Sequence, residues 1–292
     1  MKIASALKVA AFAAFVGSTF GQVIHLNVNE QFTDGDRTSV TQDSNGTYTS
    51  LSWANRRGGT SIGMQDGGIF VQSTSSATGQ IIAAQFTNNA ATLSKGQQLN
   101  VSFDLAITQL PTAFRFGVYD SNGAANSVGT SGSPADGFVF HTRMSTTSTY
   151  FRYEQHIGTN NINLISTVDT ILGQSTAPGE TSFFSAVGTY NFAASIIYSD
   201  DNTYDFSIKV TNLDDNSVLT GSWSQIFSEA NFATSFDTFA LMVDGTTGQA
   251  VFDNLQIGVS AAPIPEPSTY AAIFGGLALL GVMARRRLSR KS

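Results

Sequence analysis

The sequence lacks cysteine entirely, so no disulfide bond can stabilise the folded chain. Stability must therefore come from a buried core, and about 240 of the residues would suffice to form one. Phosphate-binding glycine loops and redox motifs are also missing from the sequence. These absences exclude a disulfide-stapled scaffold and give no indication of nucleotide or redox chemistry.

Charged residues are scarce, at 12%, and the long Ala/Glu/Lys/Leu stretches that build exposed helices do not occur. The chain is instead rich in glycine (27 residues) and phenylalanine (22 residues). Large apolar residues recur at every second position over 99–107, 114–118, 206–210 and 239–243, which is the period of a β-strand. Turn-forming Asn, Asp and Gly residues separate these segments. The pattern predicts an all-β fold, a two-sheet antiparallel sandwich of jelly-roll type.

The N-terminus has the features of an export signal. Lys2 and Lys8 precede a short apolar stretch, Val9–Val16, and the small residues Thr19 and Gly21 suit a cleavage after Gly21. The apolar stretch is too short to favour a membrane-spanning helix. We therefore expect the chain to be exported as Gln22 onward.

The C-terminus combines a short rigid motif, an apolar run over 270–284 and a basic cluster. The rigid motif consists of Pro265, Glu266 and Pro267. The basic cluster, which would stop transfer through the membrane, consists of Arg285, Arg286 and Arg287. As a helix the apolar run would be about 22 Å long, so it would span the roughly 30 Å hydrocarbon core only marginally. The basic cluster should remain cytoplasmic, which places the residues before Pro265 across the membrane.

This order of elements resembles the PEP-CTERM sorting signal of Gram-negative bacteria. The resemblance rests on Pro265 to Thr269, the Gly-rich apolar segment Ala271 to Gly281 and the basic cluster, about a tenth of the chain. It implies an exosortase-type sorting enzyme as a partner and a transient anchor in the inner membrane through the tail. It also implies delivery to the cell surface or extracellular matrix, in association with exopolysaccharide and biofilm. The resemblance implies no activity for the remaining residues.

The sequence thus predicts four segments. They are a signal peptide over 1–21, a β-sandwich domain over 22–260, a linker with the Pro-Glu-Pro motif over 261–267, and a membrane-spanning sorting helix over 268–292. The two removable ends contain seven of the 15 basic residues and none of the 21 acidic ones. Trimming would leave eight basic residues against 21 acidic ones, a net charge of −13. Such a surface repels nucleic acid, so we expect no nucleic-acid partner.

The last predicted strand contains a carboxylate among apolar residues. Alternation over 251–257 predicts that Asp253 points inward, where it needs a hydrogen-bond partner or a metal. This segment resembles the last strand of concanavalin-like and carbohydrate-binding jelly rolls. That resemblance implies a structural calcium, with Asp253 as one ligand and Glu30 as a possible second. The alternative is that backbone N–H groups or Asn254 satisfy Asp253, and no other cofactor is predicted.

Two further groups of residues are candidates for a site. Trp53 and Arg56 could form a platform on which a sugar stacks, although a half-buried sandwich tryptophan explains Trp53 equally well. His141 and His156 should lie on neighbouring strands. With the nearby residues Arg143, Arg152, Tyr153 and Glu154 they could abstract a proton beside a uronate, as a polysaccharide lyase does. The alternative is a mixed polar face without catalytic function.

Three functional classes are compatible with the sequence. The first is a non-enzymatic exported surface or matrix protein that associates with extracellular polysaccharide, and this is our prediction. The second is a carbohydrate-binding module with a defined glycan ligand, which would need exposed aromatic side chains in a groove. The third is a hydrolase or lyase on a jelly-roll scaffold, which would need convergent titratable groups in a cleft.

Overall fold

The fold consists of β-strands, and no α-helix occurs in the part of the chain that the structure describes. The structure, a computed structural model, describes residues 25–57, 62–73, 80–86, 90–122, 135–144, 150–156, 170–176, 183–184, 187–200, 202–227, 233–245 and 247–261. A compact unit spans Ile24–Ser260. The predicted signal peptide and nearly all of the linker and sorting tail lie outside the described residues. Among those that are described, no helix is long and apolar enough to cross a membrane.

The strands follow one another through the described part of the chain. In chain order they are β1 His25–Glu30, β2 Thr41–Gln42, β3 Tyr48–Ser50, β4 Trp53–Arg57, β5 Ile62–Gln65, β6 Gly68–Gln72, β7 Gln80–Gln85, β8 Ala91–Thr92, β9 Gln97–Gln109, β10 Ala113–Asp120, β11 Asp136–Arg143, β12 Tyr150–His156, β13 Thr170–Thr176, β14 Gly188–Asp200, β15 Thr203–Asn212, β16 Val218–Ile226, β17 Ser235–Phe236, β18 Thr238–Asp244 and β19 Gln249–Ala261.

Two large sheets form the sandwich. The ten-stranded sheet has the order β16-β15-β14-β9-β19-β1-β3-β2, and the hairpin of β5 and β6 joins it through β19. The seven-stranded sheet has the order β13-β12-β11-β10-β18-β7-β4. A small third sheet pairs β17 with β8. Nearly all pairings are antiparallel; β1 with β3 is parallel. The predicted all-β sandwich is therefore confirmed.

Phenylalanine rings from both sheets fill the space between them. Phe103 of the ten-stranded sheet stacks on Phe192 of the same sheet, with ring centroids 5.1 Å apart. It also meets Phe116 and Phe239 of the seven-stranded sheet edge to face, at 4.9 and 6.0 Å. Aromatic pairs in such geometries contribute about 0.5–1.5 kcal/mol beyond the burial of their surface. This aromatic core replaces the disulfides that the chain cannot form.

The inward alternation changes phase within β19, contrary to the sequence prediction. Ala250 and Phe252 belong to the core, and the next core residues are Leu255 and Ile257. Asn254 between them has a positive φ of 55°, which allows the extra residue of a bulge. The prediction that Asp253 points inward with Leu255 is therefore wrong, because the bulge turns this carboxylate away from the core.

Candidate site on the outer face of the seven-stranded sheet

A row of polar and charged residues crosses the outer face of the seven-stranded sheet. The pairing register places Arg115 of β10 opposite His141 of β11, and His141 opposite Arg152 of β12. Arg152 in turn lies opposite Gln174 of β13. Because residues directly opposite each other point to the same face, and the flanking Phe residues of β10 and β11 belong to the core, this row faces away from it.

An imidazole and a carboxylate form a buried pair in this face. Nδ1 of His141 lies 3.1 Å from Oε1 of Glu154, and the two residues are only 4% and 5% exposed. A carboxylate oxygen accepts a hydrogen bond, so Nδ1 carries the proton and Nε2 is left as the acceptor nitrogen. The other carboxylate oxygen, Oε2, is buried and has no hydrogen-bond partner among the described residues.

Burial lowers the pKa of His141 below its ordinary value of 6.5. The hydrogen bond to Glu154 raises this pKa and offsets part of the effect, whereas the positive charges of Arg115 and Arg152 lower it further. His141 is therefore a neutral imidazole at pH 7. The positive charge of this face comes from its arginines.

Two guanidinium groups pack over one tyrosine ring at the accessible side of this face. The guanidinium carbon of Arg152 lies 4.7 Å from the centre of the Tyr150 ring, and that of Arg143 lies 5.7 Å from it. Nε of Arg152 donates a hydrogen bond to Oε1 of Gln174, at 3.0 Å. The Tyr150 ring also lies 6.0 Å from the His141 ring. We call Arg115, Arg143, Tyr150, Arg152 and Gln174 the arginine patch.

The arginine patch has the donors that bind carboxylate groups. Guanidinium groups recognise carboxylates through paired hydrogen bonds, and packing against the Tyr150 ring holds two of them in place. Three of the eight basic residues outside the predicted removable ends lie in this patch. An anionic ligand would therefore find positive charge concentrated on this one face of an otherwise acidic protein.

The sequence reasoning identified only part of this group. It selected His141, Arg143, Arg152 and Glu154, which the structure brings together. It missed Arg115, Tyr150 and Gln174. It selected Tyr153, whose ring points to the core and lies 5.8 Å from that of Phe140. Strand parity was the available signal, since Tyr150 shares its face with Arg152 whereas Tyr153 shares its face with Phe151.

His156 lies at the end of β12, opposite Gly137. It lies four residues along β12 from Arg152, which is the residue that pairs with His141. The pairing therefore separates His156 from the row that contains His141.

Trp53 lies in the core of the sandwich and is 1% exposed. Its indole packs against Phe32, Phe239 and Phe252, with ring centroids 5.3–6.1 Å away. Both of its faces are covered, so the ring is not available to a sugar in this structure. Arg56, on the same strand, is half-buried, and burial lowers the pKa of its guanidinium.

The two carboxylates considered for calcium lie on different faces of the ten-stranded sheet. Glu30 is opposite Leu255 and points inward, where Oε1 accepts a hydrogen bond from the Phe32 N–H at 2.9 Å and Oε2 accepts one from the Leu51 N–H. Asp253 points outward, and Oδ1 accepts a bond from the Asn254 N–H at 2.7 Å. Burial raises the pKa of both carboxyl groups, and the Asp104 carboxylate raises that of Asp253 further.

The structure therefore does not bring Glu30 and Asp253 together. The described residues also contain no group of three or more His, Asp or Glu side chains placed to hold a metal ion. Glu30 instead accepts hydrogen bonds from two backbone amides. Asp253 accepts one from the Asn254 N–H, which is the alternative to a metal that the sequence left open for that carboxylate.

Comparison with known proteins adds one sequence match and several similar folds. Residues 263–287 match the PEP-CTERM protein-sorting motif, and the match includes the Pro-Glu-Pro motif and the basic cluster. No curated protein sequence matches the chain significantly. Residues 263–287 lie outside the part of the chain that the structure describes. The motif indicates export through a sorting system to the envelope or surface of a Gram-negative bacterium.

Solved structures with a similar fold include a lectin, a lectin-like defence protein and an alginate lyase. Peanut lectin is 11% identical, with 82% of this chain and 97% of the lectin covered and a TM-score of 0.44. Arcelin-5, a lectin-like defence protein from Phaseolus vulgaris, is 9% identical, with coverages of 82% and 98% and a TM-score of 0.45. An alginate lyase solved with an alginate trisaccharide is 14% identical, with coverages of 83% and 100% and a TM-score of 0.42. These likenesses concern the fold alone. What the sequence comparison adds is that the chain carries the PEP-CTERM sorting motif at its C-terminus.

Proposed function

We propose that this protein is a non-enzymatic component of the cell surface or extracellular matrix that binds an acidic exopolysaccharide through the arginine patch. An exosortase-type enzyme processes the tail after a transient stay in the inner membrane. The sandwich then remains outside the cell, where the patch holds carboxylate groups of the polysaccharide. The sorting motif supports the route, and the patch supports the ligand class.

The arrangement of Arg143 and Arg152 about Tyr150 is the observation that carries this proposal. Arg143 is exposed, whereas Arg152 and Tyr150 are half-buried, so the group is both accessible and held in place. The rest of the protein carries a large excess of negative charge, which repels an anionic polymer. Binding of a polyuronate would therefore be confined to the place where the arginines are concentrated.

The test is a binding measurement with a soluble polyuronate, such as polygalacturonate, against the neutral polymer dextran. The double variant R143Q/R152Q removes two positive charges and should weaken polyuronate binding by about tenfold or more. The control K209Q removes a positive charge from an exposed position on the ten-stranded sheet and should change binding by less than about twofold. Equal binding of polyuronate by the wild type and R143Q/R152Q would contradict the proposal.

A lyase activity is the second candidate, and one specific observation favours it. His141 is neutral, holds its proton on Nδ1 and has its ring 6.0 Å from that of Tyr150. A neutral imidazole and a phenol beside arginines are groups that could move a proton next to a uronate. Incubation with polyuronate would then produce unsaturated uronate, visible by ultraviolet absorbance, and H141A would abolish that product.

A carbohydrate-binding module with one defined glycan ligand differs from both in its specificity. A glycan array would show saturable binding of one glycan for such a module and broad binding of acidic glycans for a matrix component. Charge-dependent binding without a preferred sequence of sugars is the result that we expect.

A further inference from the structure

The strand β16 ends the ten-stranded sheet in the part that the structure describes, and it is an unusual edge. It runs from Val218 to Ile226 and pairs along its length with β15. Its nine residues include no charged residue and no proline. Val218 is 49% exposed and Ile226 is 72% exposed. By contrast β2, at the other end of this sheet, has two residues.

Edge strands of native sheets usually carry features that prevent pairing with another chain. Charges, prolines, bulges or a short length are the common ones, because an open edge presents unpaired N–H and C=O groups. The regular pairing of β16 with β15 runs from Val218 to Ile226 without a bulge. A long, regular and uncharged edge with exposed apolar side chains is therefore suited to pairing with a further strand.

The order of side chains along β16 fits a second copy of the same strand. Its outward-facing side chains read Val218, Thr220, Ser222, Ser224 and Ile226. Read from either end, this row has an aliphatic residue first, a hydroxyl residue second and Ser222 at its centre. When a second copy is placed antiparallel with Ser222 opposite itself, Val218 faces the partner's Ile226, and Thr220 faces the partner's Ser224.

The other face of β16 is complementary in the same register. Gly221 then lies opposite the partner's Trp223, so the residue with no side chain faces the largest one. Trp223 is 37% exposed in the single chain, and its indole already packs over Gly173 of β13. The partner's strand would cover the remaining exposed edge of the ring, with Gly221 directly opposite it and the partner's Trp223 as its diagonal neighbour.

The neighbouring strand places charges of opposite sign at the two ends of one row, about three strand spacings apart, so the pairing brings no like charges together. Lys209 of β15 lies opposite Thr220, and Asp205 lies opposite Ser224. In the antiparallel arrangement a row therefore begins at Lys209 of one copy and ends at the partner's Asp205. The twofold axis repeats this row in the opposite direction, so each row has a lysine at one end and an aspartate at the other.

We propose that two copies of this protein associate through antiparallel pairing of β16, with Ser222 opposite itself on a twofold axis, so that the ten-stranded sheets join into one continuous sheet. Val218 and Ile226 form the apolar contacts on the outer face of the joined sheet. This inference does not depend on polysaccharide binding, because β16 belongs to the other sheet of the sandwich.

Cysteine cross-linking of the full chain in its producing cell tests the register directly, since the natural sequence has no cysteine to form background products. In S222C the two introduced thiols face each other within disulfide range. A mild thiol oxidant should convert most of this variant into a species of twice the mass on a non-reducing gel. The matched variant T220C faces the partner's Ser224 and should yield at least about tenfold less of it.

Three further variants keep the test decisive. T220C/S224C should restore the cross-link, because each introduced thiol then faces the other on the partner. V218E/I226E places like charges opposite each other and should abolish the dimer in sedimentation, whereas V218E/I226K places opposite charges there and should retain it. S222C that cross-links no better than T220C, or V218E/I226E that sediments as a dimer, would overturn the proposal.

Discussion

Nδ1 of His141 and Oε1 of Glu154 lie 3.1 Å apart in a face of the sandwich where both residues are almost fully buried. The pair connects two adjacent strands of the seven-stranded sheet at the level of the arginine patch. Burial keeps His141 neutral, so the hydrogen bond to Glu154 orients the imidazole ring without forming an ion pair. The positive charge around the ring comes from Arg115 and Arg152.

The lowered pKa of His141 predicts a pH dependence of stability. Below a pH of about 6.5 the unfolded chain takes up a proton on this residue before the folded protein does. The free energy of unfolding is therefore expected to fall as the pH decreases from about 6.5 to the lowered pKa, by at most about 1.4 kcal/mol per pH unit. Urea unfolding across this range measures the slope.

The variant H141N provides the comparison for that slope, because asparagine can still donate to Glu154 but does not titrate. Its stability should change less with pH in the same range. A slope identical in the wild type and H141N would show that His141 is not the group responsible.

Replacing Glu30 by glutamine should destabilise the protein although it removes a buried charge. Glu30 accepts hydrogen bonds from two backbone N–H groups, one on each oxygen. Glutamine offers one acceptor and places an NH₂ group against the second donor, so E30Q should cost about 1–3 kcal/mol in urea unfolding. D253N is the control, since Asp253 lies on the other face and its loss should cost less than about 0.5 kcal/mol. Equal losses for the two variants would contradict this account.

Adding a methyl group at Gly173 should displace the indole of Trp223. A Cβ atom there would overlap the Trp223 ring, because this ring packs directly on the glycine backbone. G173A is expected to cost about 1–3 kcal/mol and to shift the tryptophan fluorescence, to which the core residue Trp53 also contributes. In the background W223A the same change should cost much less. A double-mutant cycle with no coupling energy would exclude this contact.

The bulge at Asn254 should tolerate glycine and reject a β-branched residue. Asn254 has a φ of 55°, and its Nδ2 donates a hydrogen bond to Oδ2 of Asp104 at 2.7 Å. N254V forces a β-branched residue into the left-handed region and should cost about 2 kcal/mol or more, whereas N254G should cost about 1 kcal/mol or less. Thermal unfolding of the two variants gives the comparison, and a smaller loss for N254V than for N254G would be the contrary result.

Several parts of the fold could be predicted from sequence because they depend on local alternation. The segment from Leu99 to Ile107 alternates apolar and polar residues, and it forms the inward and outward faces of β9. Such a period depends only on strand geometry and on the exclusion of water from apolar side chains. The sorting motif at 263–287 was equally readable, because its three elements follow one another along the chain.

The candidate site was only partly predictable, because its geometry depends on pairing between distant segments. His141 and Arg152 were visible as polar residues on strands, but their alignment with Arg115 and Gln174 requires the register of four strands. Trp53 shows the same limit, since one residue at a strand start can be a sugar platform or a core residue. Its packing against Phe239 and Phe252 is decided by strands nearly 200 residues later in the chain.

By itself the sequence determined the all-β class, the dependence on an aromatic core in place of disulfides, and the sorting address. These follow from composition and from short-range order along the chain. The tertiary structure alone decided the phase of β19, the separation of Glu30 from Asp253 and the assembly of the arginine patch. The reason is physical: a single left-handed residue or a one-position change of register moves a side chain to the opposite face of a sheet, and neither is encoded in a local hydrophobic pattern.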